Sequence, residues 1–271
     1  MYGILVIGAP GAGKSTFCAG LADIFEQMSR PYITINLDPA NDFTQYTAAC
    51  DLKELITVEE VMNKLNLGPN GALKYCIDTL CKNEDWLYRK ILDNRNKYMI
   101  IDCPGQLELY KCDGELYINY TFKLIRGLEH AGVRLCAVHL VDALYCSNAA
   151  NFISVVMSTL ATMVTMEMPQ VNVLSKSDLF DHDASFNLEF FTELPDVNRL
   201  LDLLNEVAGL ERYHALNAAI CDIVSNFDLV SFVPLNVQKK DDMVRILRLA
   251  DTANGWAFHE HGDIRELIIN E

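Results

Sequence analysis

Gly8-Ala9-Pro10-Gly11-Ala12-Gly13-Lys14-Ser15, followed by Thr16, fits the phosphate-binding loop pattern G-x-x-x-x-G-K-[ST]. Glycines let a backbone turn tightly and bring its N–H groups close to phosphate oxygens. A helix opening at the end of such a loop adds unpaired amides and the positive end of its dipole. Lys14 then reaches the β- and γ-phosphates, and the Ser15 hydroxyl can ligate a magnesium ion. The candidate phosphate contacts are Gly11, Ala12, Gly13, Lys14, Ser15 and Thr16, with Ser15 also on the metal side.

Four more stretches carry groups suited to nucleotide chemistry. In Asp102-Cys103-Pro104-Gly105-Gln106, a carboxylate closes an apolar run. Such a charge is costly to bury unless a cation or donor offsets it, and a hydrated magnesium ion would do so. Gly105 would let the backbone approach a γ-phosphate. Gln106 can orient an attacking water, with Glu108 near enough to help. Ser175-Lys176-Ser177-Asp178 is similar to the [NT]-K-x-D base-reading motif. An ionised carboxylate at Asp178 would accept both N1–H and the 2-amino group of guanine, a pair that adenine lacks. The stem of Lys176 can lie on the base plane, and Ser175 stands where Asn is commoner. Asp38-Pro39-Ala40 reads either as a metal-side carboxylate or as an ordinary Asp-Pro turn. Backbone groups of Phe232-Val233-Pro234-Leu235-Asn236 could line the base. Gly68-Pro69-Asn70 reads as a turn between two helices.

The elements that must position these groups alternate strand with helix. Apolar runs at 2–7, 31–37, 98–102, 135–142, 170–174 and 229–236 are of strand length. Helical spacing covers 16–25, 116–130, 149–166, 196–208, 213–227 and 240–257, with a loop-rich stretch at 179–194. The expected fold is α/β: a mostly parallel central sheet with helices on both faces, and ligand groups at the strand ends. Residues 43–97 form a helical insertion, in which Thr57-Val58-Glu59-Glu60 matches a capping box.

The 271 residues are 51% hydrophobic, enough for a large core, and could make one α/β domain or two small ones. A net charge of −15 argues against direct nucleic-acid or anionic-membrane binding, both of which need clustered positive charge. The chain opens on its first strand, which leaves no room for a signal peptide. Ile153–Met166 is apolar but carries Ser and Thr, so it reads as a core helix rather than a membrane span. Nine cysteines without a CxxC pair read as reduced, mostly buried residues of a cytosolic protein. His259-Glu260-His261 reads as a solvated tail rather than a ligand set.

Taken together, these motifs resemble the GPN-loop GTPases. The carrying residues are Gly8–Thr16, Asn36–Asn41, Leu67-Gly68-Pro69-Asn70-Gly71, Asp102–Gln106 and Leu174–Asp178, in that order. Ala137–Asp142, Phe152–Val155, Ser158–Met163, Leu229–Val237 and Ala253-Asn254-Gly255 narrow it to one eukaryotic branch. The resemblance implies one P-loop NTPase domain over 1–271 that hydrolyses GTP to GDP with Mg2+. It implies homodimers, or heterodimers with a paralogous GPN-loop GTPase, in which Asn70 approaches the nucleotide of the partner. Asp38, Asp102, Gln106 and Glu108 would surround metal and water. RNA polymerase II and III subunits or their assembly factors are the implied partners, and cytoplasmic residence with shuttling to the nucleus the implied location. A GTP-binding scaffold with little hydrolysis stays open as an alternative. A nucleotide kinase is disfavoured by Asp102–Gln106 and the base-reading motif.

Overall fold

The computed structural model describes residues 1–41, 43–105, 120–146, 149–179, 201–202, 204, 213–226 and 230–257. Its strands are β1 (Tyr2–Gly8), β2 (Tyr32–Asn36), β3 (Cys50–Asp51), β4 (Tyr98–Asp102), β5 (Arg134–Asp142), β6 (Gln170–Ser175) and β7 (Phe232–Pro234). They form one sheet in the order β3-β2-β4-β1-β5-β6-β7. Every pairing is parallel. The described helices are α1 (Lys14–Gln27), α2 (Val58–Leu65), α3 (Pro69–Lys82), α4 (Glu84–Leu92), α5 (Tyr120–His130), α6 (Ala149–Met166), α7 (His214–Asn226) and α8 (Lys240–Asn254). This is the α/β P-loop architecture expected from the sequence.

A parallel sheet is buried on both faces, so its strands read as unbroken apolar runs. In β1, Leu5 and Ile7 enter one core with Ile77 and Leu80 of α3, Leu87 and Ile91 of α4, and Ile125 and Leu128 of α5. Ile4 and Val6 enter the other, with Phe17, Leu21 and Phe25 of α1 and Met243, Ile246 and Leu247 of α8. The period-two alternation of one strand thus sends successive residues to opposite helical layers. α6 packs Phe152, Val156 and Leu160 into a third cluster with Leu174 and Phe232. Ser154, Thr162 and Thr165 return their hydroxyls to the carbonyl four residues back, which satisfies polar groups on this uncharged helix. None of the eight described cysteines forms a disulfide, and all are buried.

β1 is the strand from which the order runs outward both ways, to β4 and to β5. Ligands of open α/β sheets bind at such switch points, beyond the carboxyl ends of the strands. The phosphate loop leaves β1 there.

The region 43–97 departs from the expected all-helical insertion. It first adds β3 to the sheet edge, pairing Ile35 with Cys50 and Asn36 with Asp51, and then makes a 3-10 turn over Leu52–Glu54. A two-residue strand is too short to leave a periodicity. The capping box does form, with Thr57 Oγ1 accepting from the Glu60 N–H at 3.3 Å. Gly68-Pro69-Asn70 is not simply a turn. Gly68 caps α3 and Pro69 is its first residue, where a fixed φ and a missing N–H cost nothing. The start of the 116–130 helix, nearly all of 179–194, most of 196–208, Cys112 and the His259-Glu260-His261 tail lie outside the described residues.

At the amino-terminal edge of the sheet, Arg30 locks α8 to the segment entering β2. Its Nη1 and Nη2 donate to Asp251 Oδ2 and Oδ1 at 2.6 and 3.1 Å. Its guanidinium stacks 3.3 Å from the Trp256 ring centroid and 4.1 Å from that of Tyr98. Both partners are buried. Removing one partner of such a pair strands the other charge, so Asp251→Asn should cost about 3–5 kcal/mol in urea unfolding. The doubly apolar Arg30→Met/Asp251→Leu should be less destabilised than that single variant, because neither charge is then stranded.

His139 is buried in the middle of β5, and its Nδ1 has no hydrogen-bond partner. Burial lowers its pKa from 6.5 to about 4. The unfolded chain therefore binds the extra proton first as pH falls, so stability present above about pH 6.5 is lost progressively toward pH 4. Acid unfolding titrations should show about 3 kcal/mol less loss over this window in His139→Leu than in the parent.

Candidate nucleotide site

The phosphate loop joins β1 to α1. Gly13 stands at the N-cap of α1 with φ 91°, a left-handed conformation that glycine adopts without strain. No side chain caps this helix, and its first turn carries no acid, so nothing in it competes with an anion for the amides. Lys14 is buried, and its Nζ donates to the carbonyl of Ala9 at 3.2 Å. Gly11, Ala12, Ser15 and Thr16 occupy the same turn, with Ser15 half-buried and Thr16 exposed.

Asp102 ends β4 beside this loop and is 1% exposed. Its Oδ2 accepts from the Tyr46 hydroxyl at 2.8 Å, while its Oδ1 has no hydrogen-bond partner. Burial raises its pKa, and the Ser15 and Tyr46 hydroxyls and the Lys14 ammonium pull it back down. Asp38, also pushed up by burial, adds repulsion to Asp102 and takes an N–H from Ala40 at 3.0 Å on its Oδ1. Lys14 lies near both carboxylates and Lys53 near Asp38, yet the buried Oδ1 of Asp102 keeps no hydrogen-bond partner and is open to a cation. Ser15, Asp102 and Asp38 therefore fit a magnesium ion, which takes few protein carboxylates alongside substrate phosphates. Gly105 is a close approach. A Cβ there would lie 2.9 Å from Lys14 Nζ and 2.9 Å from both Cα and N of Pro10. Gln106 and Glu108 lie outside the described residues.

The base-reading stretch leaves the end of β6. Ser175 Oγ donates to the Ala12 carbonyl at 2.8 Å and to the Val141 carbonyl at 3.0 Å, its one proton shared between them. The serine thus makes a direct tie to the phosphate loop at the position where Asn is commoner. Lys176 takes φ 57°, uncommon for a side chain of its size, and its Nζ donates to Asp142 Oδ2 at 2.6 Å. Asp178 is exposed in a 3-10 turn over Ser177–Leu179. The Ser177 N–H bonds the Leu235 carbonyl at 3.1 Å, bringing the Phe232–Asn236 backbone alongside.

The fold thus gathers residues 11–16, Asp38, Asp102, Ser175, Lys176 and Asp178 along one edge of the sheet. It does not add the Gly68 turn to them: Gly68, Pro69 and Asn70 are exposed, and no described hydrogen bond joins them to the phosphate loop. Sequence reasoning missed Tyr46 and Lys53, and it quoted Asn41 and Asp142 within motifs without giving either a role of its own. Asp142 had a usable signal, since it closes a buried apolar strand as Asp102 does. Tyr46 and Asn41 lie in irregular segments and Lys53 in a three-residue 3-10 turn, none of which shows a periodicity.

A family model described as a conserved hypothetical ATP binding protein matches residues 6–256. GPN-loop GTPase 2 of Danio rerio is 42% identical over 267 residues, spanning 98% of this chain and 83% of that protein. The chain belongs to the GPN-loop GTPase family. GPN-loop GTPase 2 of Schizosaccharomyces pombe is 40% identical, over 94% of this chain and 80% of its own length. Among solved structures, a GTPase in apo form from Pyrococcus abyssi superposes with a TM-score of 0.76 at 21% identity, covering 93% of this chain and 97% of that one. That likeness shows the fold of this GPN-loop GTPase family member at a distance where sequence identity is low.

Gly105→Ala should weaken GDP binding about tenfold, the size of a moderate overpacking penalty against backbone that cannot withdraw. Calorimetric titration of GDP measures it. An unchanged Kd would show that Pro10 and Lys14 yield freely.

Proposed function

We propose that this chain binds GTP and hydrolyses it to GDP and phosphate. One observation carries the reading: the phosphate loop, a buried carboxylate with an unpaired oxygen, and the exposed Asp178 meet at the carboxyl edge of one sheet. The family model is described by ATP binding, while the named relatives are GTPases. Guanine is favoured here because Asp178 accepts two adjacent donors that adenine does not present. Lys176, tethered by Asp142, supports the base.

Hydrolysis of this kind is positioning plus charge stabilisation. The amides at the start of α1 and the Lys14 ammonium hold the phosphates. Ser15 and Asp102, with Asp38 nearby, would hold Mg2+, which supplies positive charge to the β- and γ-phosphate oxygens. Gln106 and Glu108 are assigned to the attacking water by their place in the motif.

We also propose that the active form is a dimer, with a second copy or a paralogous GPN-loop GTPase. Asn70 would approach the nucleotide across the interface, and nucleotide state would alter the shape of the dimer. Gly68 supports this, since its φ of −70° and the open space around it give no reason within the chain for a glycine. Leu65 and Leu67, exposed by 47% and 37%, offer apolar surface beside it. Assembly and nuclear import of RNA polymerase II, and of polymerase III, is the cellular role that the family resemblance favours.

Turnover should be at least tenfold faster with GTP than with ATP, measured as phosphate release with Mg2+, because a site built for paired hydrogen bonds rejects an analogue lacking them by about 10⁴ or more. Asp178→Asn should shift preference toward xanthosine triphosphate. Equal ATP turnover by the parent, or no shift in the variant, contradicts the guanine assignment. GTP bound without turnover would leave a binding scaffold.

A further inference from the structure

The segment after β2, which carries Asn36–Asn41, is held from both sides by side-chain hydrogen bonds. Asn41 donates from Nδ2 to Ser15 Oγ at 2.8 Å. Its own carbonyl accepts from Lys53 Nζ at 2.8 Å. Lys53 lies in the 3-10 turn that follows β3, and Asp51 fixes that turn. Asp51 Oδ1 accepts from the Lys53 backbone N–H at 2.9 Å and from Asn36 Nδ2 at 3.1 Å, and its Oδ2 lies 3.8 Å from the Lys53 ammonium. Asn36 Oδ1 in turn accepts the Asp38 N–H at 3.1 Å. A continuous run of hydrogen bonds thus joins the edge strand to the metal-side serine, and Asp38 sits within it.

A serine hydroxyl has one proton and two acceptor lone pairs. Asn41 can only donate at this atom, so it occupies one lone pair. The proton must turn elsewhere, and Asp102 is near enough for Ser15 to stabilise its charge. One lone pair then remains. A serine side chain otherwise samples three staggered wells, and the bond from Asn41 selects one of them. Lys53 matters because Asn41 sits on an irregular loop. The charged donor on its carbonyl replaces the ladder bonds that a strand would supply.

We propose that Asn41 is a positioning residue for divalent-cation binding. It orients Ser15 so that the remaining lone pair faces the cation, and Lys53 holds Asn41 in place. This rests on the assignment of Ser15 and Asp102 as the metal-side pair of a GTP site. Edge strand β3, which contributes only two residues to the sheet, thereby acquires a role at the centre of the site.

The test is a Mg2+ titration of the full chain loaded with a fluorescent GDP, reading the concentration that half-maximally slows GDP release. GDP affinity in EDTA is measured in parallel. Asn41→Ala and Lys53→Met should each raise half-saturating Mg2+ by about 3- to 10-fold, the size of one net hydrogen bond. GDP affinity in EDTA should not change with them. Lys53→Arg, which keeps a charged donor, should hold the parent value. Asn41→Ala/Lys53→Met should be no worse than Asn41→Ala, since Lys53 acts through Asn41. Half-saturating Mg2+ that stays the same in Asn41→Ala overturns the proposal. So does a lower value, which would mean that Asn41 competes with the cation for Ser15. An equal loss of GDP affinity in EDTA also overturns it, by showing a general structural role. A parent chain whose GDP release ignores Mg2+ overturns the metal-side assignment itself, whereas a responsive parent whose variants keep its half-saturating Mg2+ overturns this proposal alone.

Discussion

A phosphate loop must keep several backbone amides unpaired and aimed at one point, and unpaired buried amides are costly. Within the loop the Ala12 N–H bonds the Ala9 carbonyl at 3.1 Å, and further contacts hold the loop through its carbonyls and its outer surface. Ser175 at the end of β6 donates to the Ala12 carbonyl, and Lys14 donates to that of Ala9. Gly105 beyond β4 presses against Pro10. The central strands β4, β1, β5 and β6 are thereby set in register around one object.

The same dependence explains the charge arrangement. Asp102 is tolerable at 1% exposure only because Lys14, Ser15 and Tyr46 offset it, and the offset is incomplete. Asp38 makes it worse rather than better. The pair is therefore suited to a cation that arrives with the nucleotide. By contrast, at the far edge of the sheet the charges of Arg30 and Asp251 are paired through two hydrogen bonds within the chain, although Arg30 Nε has no partner. One edge is built for stability and the other for a ligand. Stability is spread through the two helical layers, while function is concentrated at strand ends.

The helical region between β3 and β4 stands apart from this economy. Its Gly-Pro-Asn turn starts a helix and faces solvent, with apolar Leu65 and Leu67 beside it. Its inner faces pack Ile77, Leu80, Leu87 and Ile91 onto the sheet. It is anchored firmly on one side and presents Gly68, Pro69 and Asn70 to solvent on the other.

Legibility in the sequence followed the length and regularity of each signal. The strands at 2–8, 98–102, 134–142 and 170–175 are unbroken apolar runs because both sheet faces are buried, and α6 runs over the expected 149–166. The phosphate loop, Asp102 and the Ser175–Asp178 stretch were readable because backbone and charge chemistry fix their spacing within a few residues. β3 was not readable, since two residues carry no period and only pairing with β2 makes them a strand. Nor were Tyr46 on Asp102, Asp142 on Lys176, or the run from Asp51 through Lys53 and Asn41 to Ser15. Those contacts join residues separated along the chain, and an isolated Tyr, Lys or Asn has an ordinary solvated reading. The sequence by itself determined which groups could hold a nucleotide and in what order they appear. The tertiary structure decided which side chains orient them, because orientation depends on neighbours that only folding brings within hydrogen-bond distance.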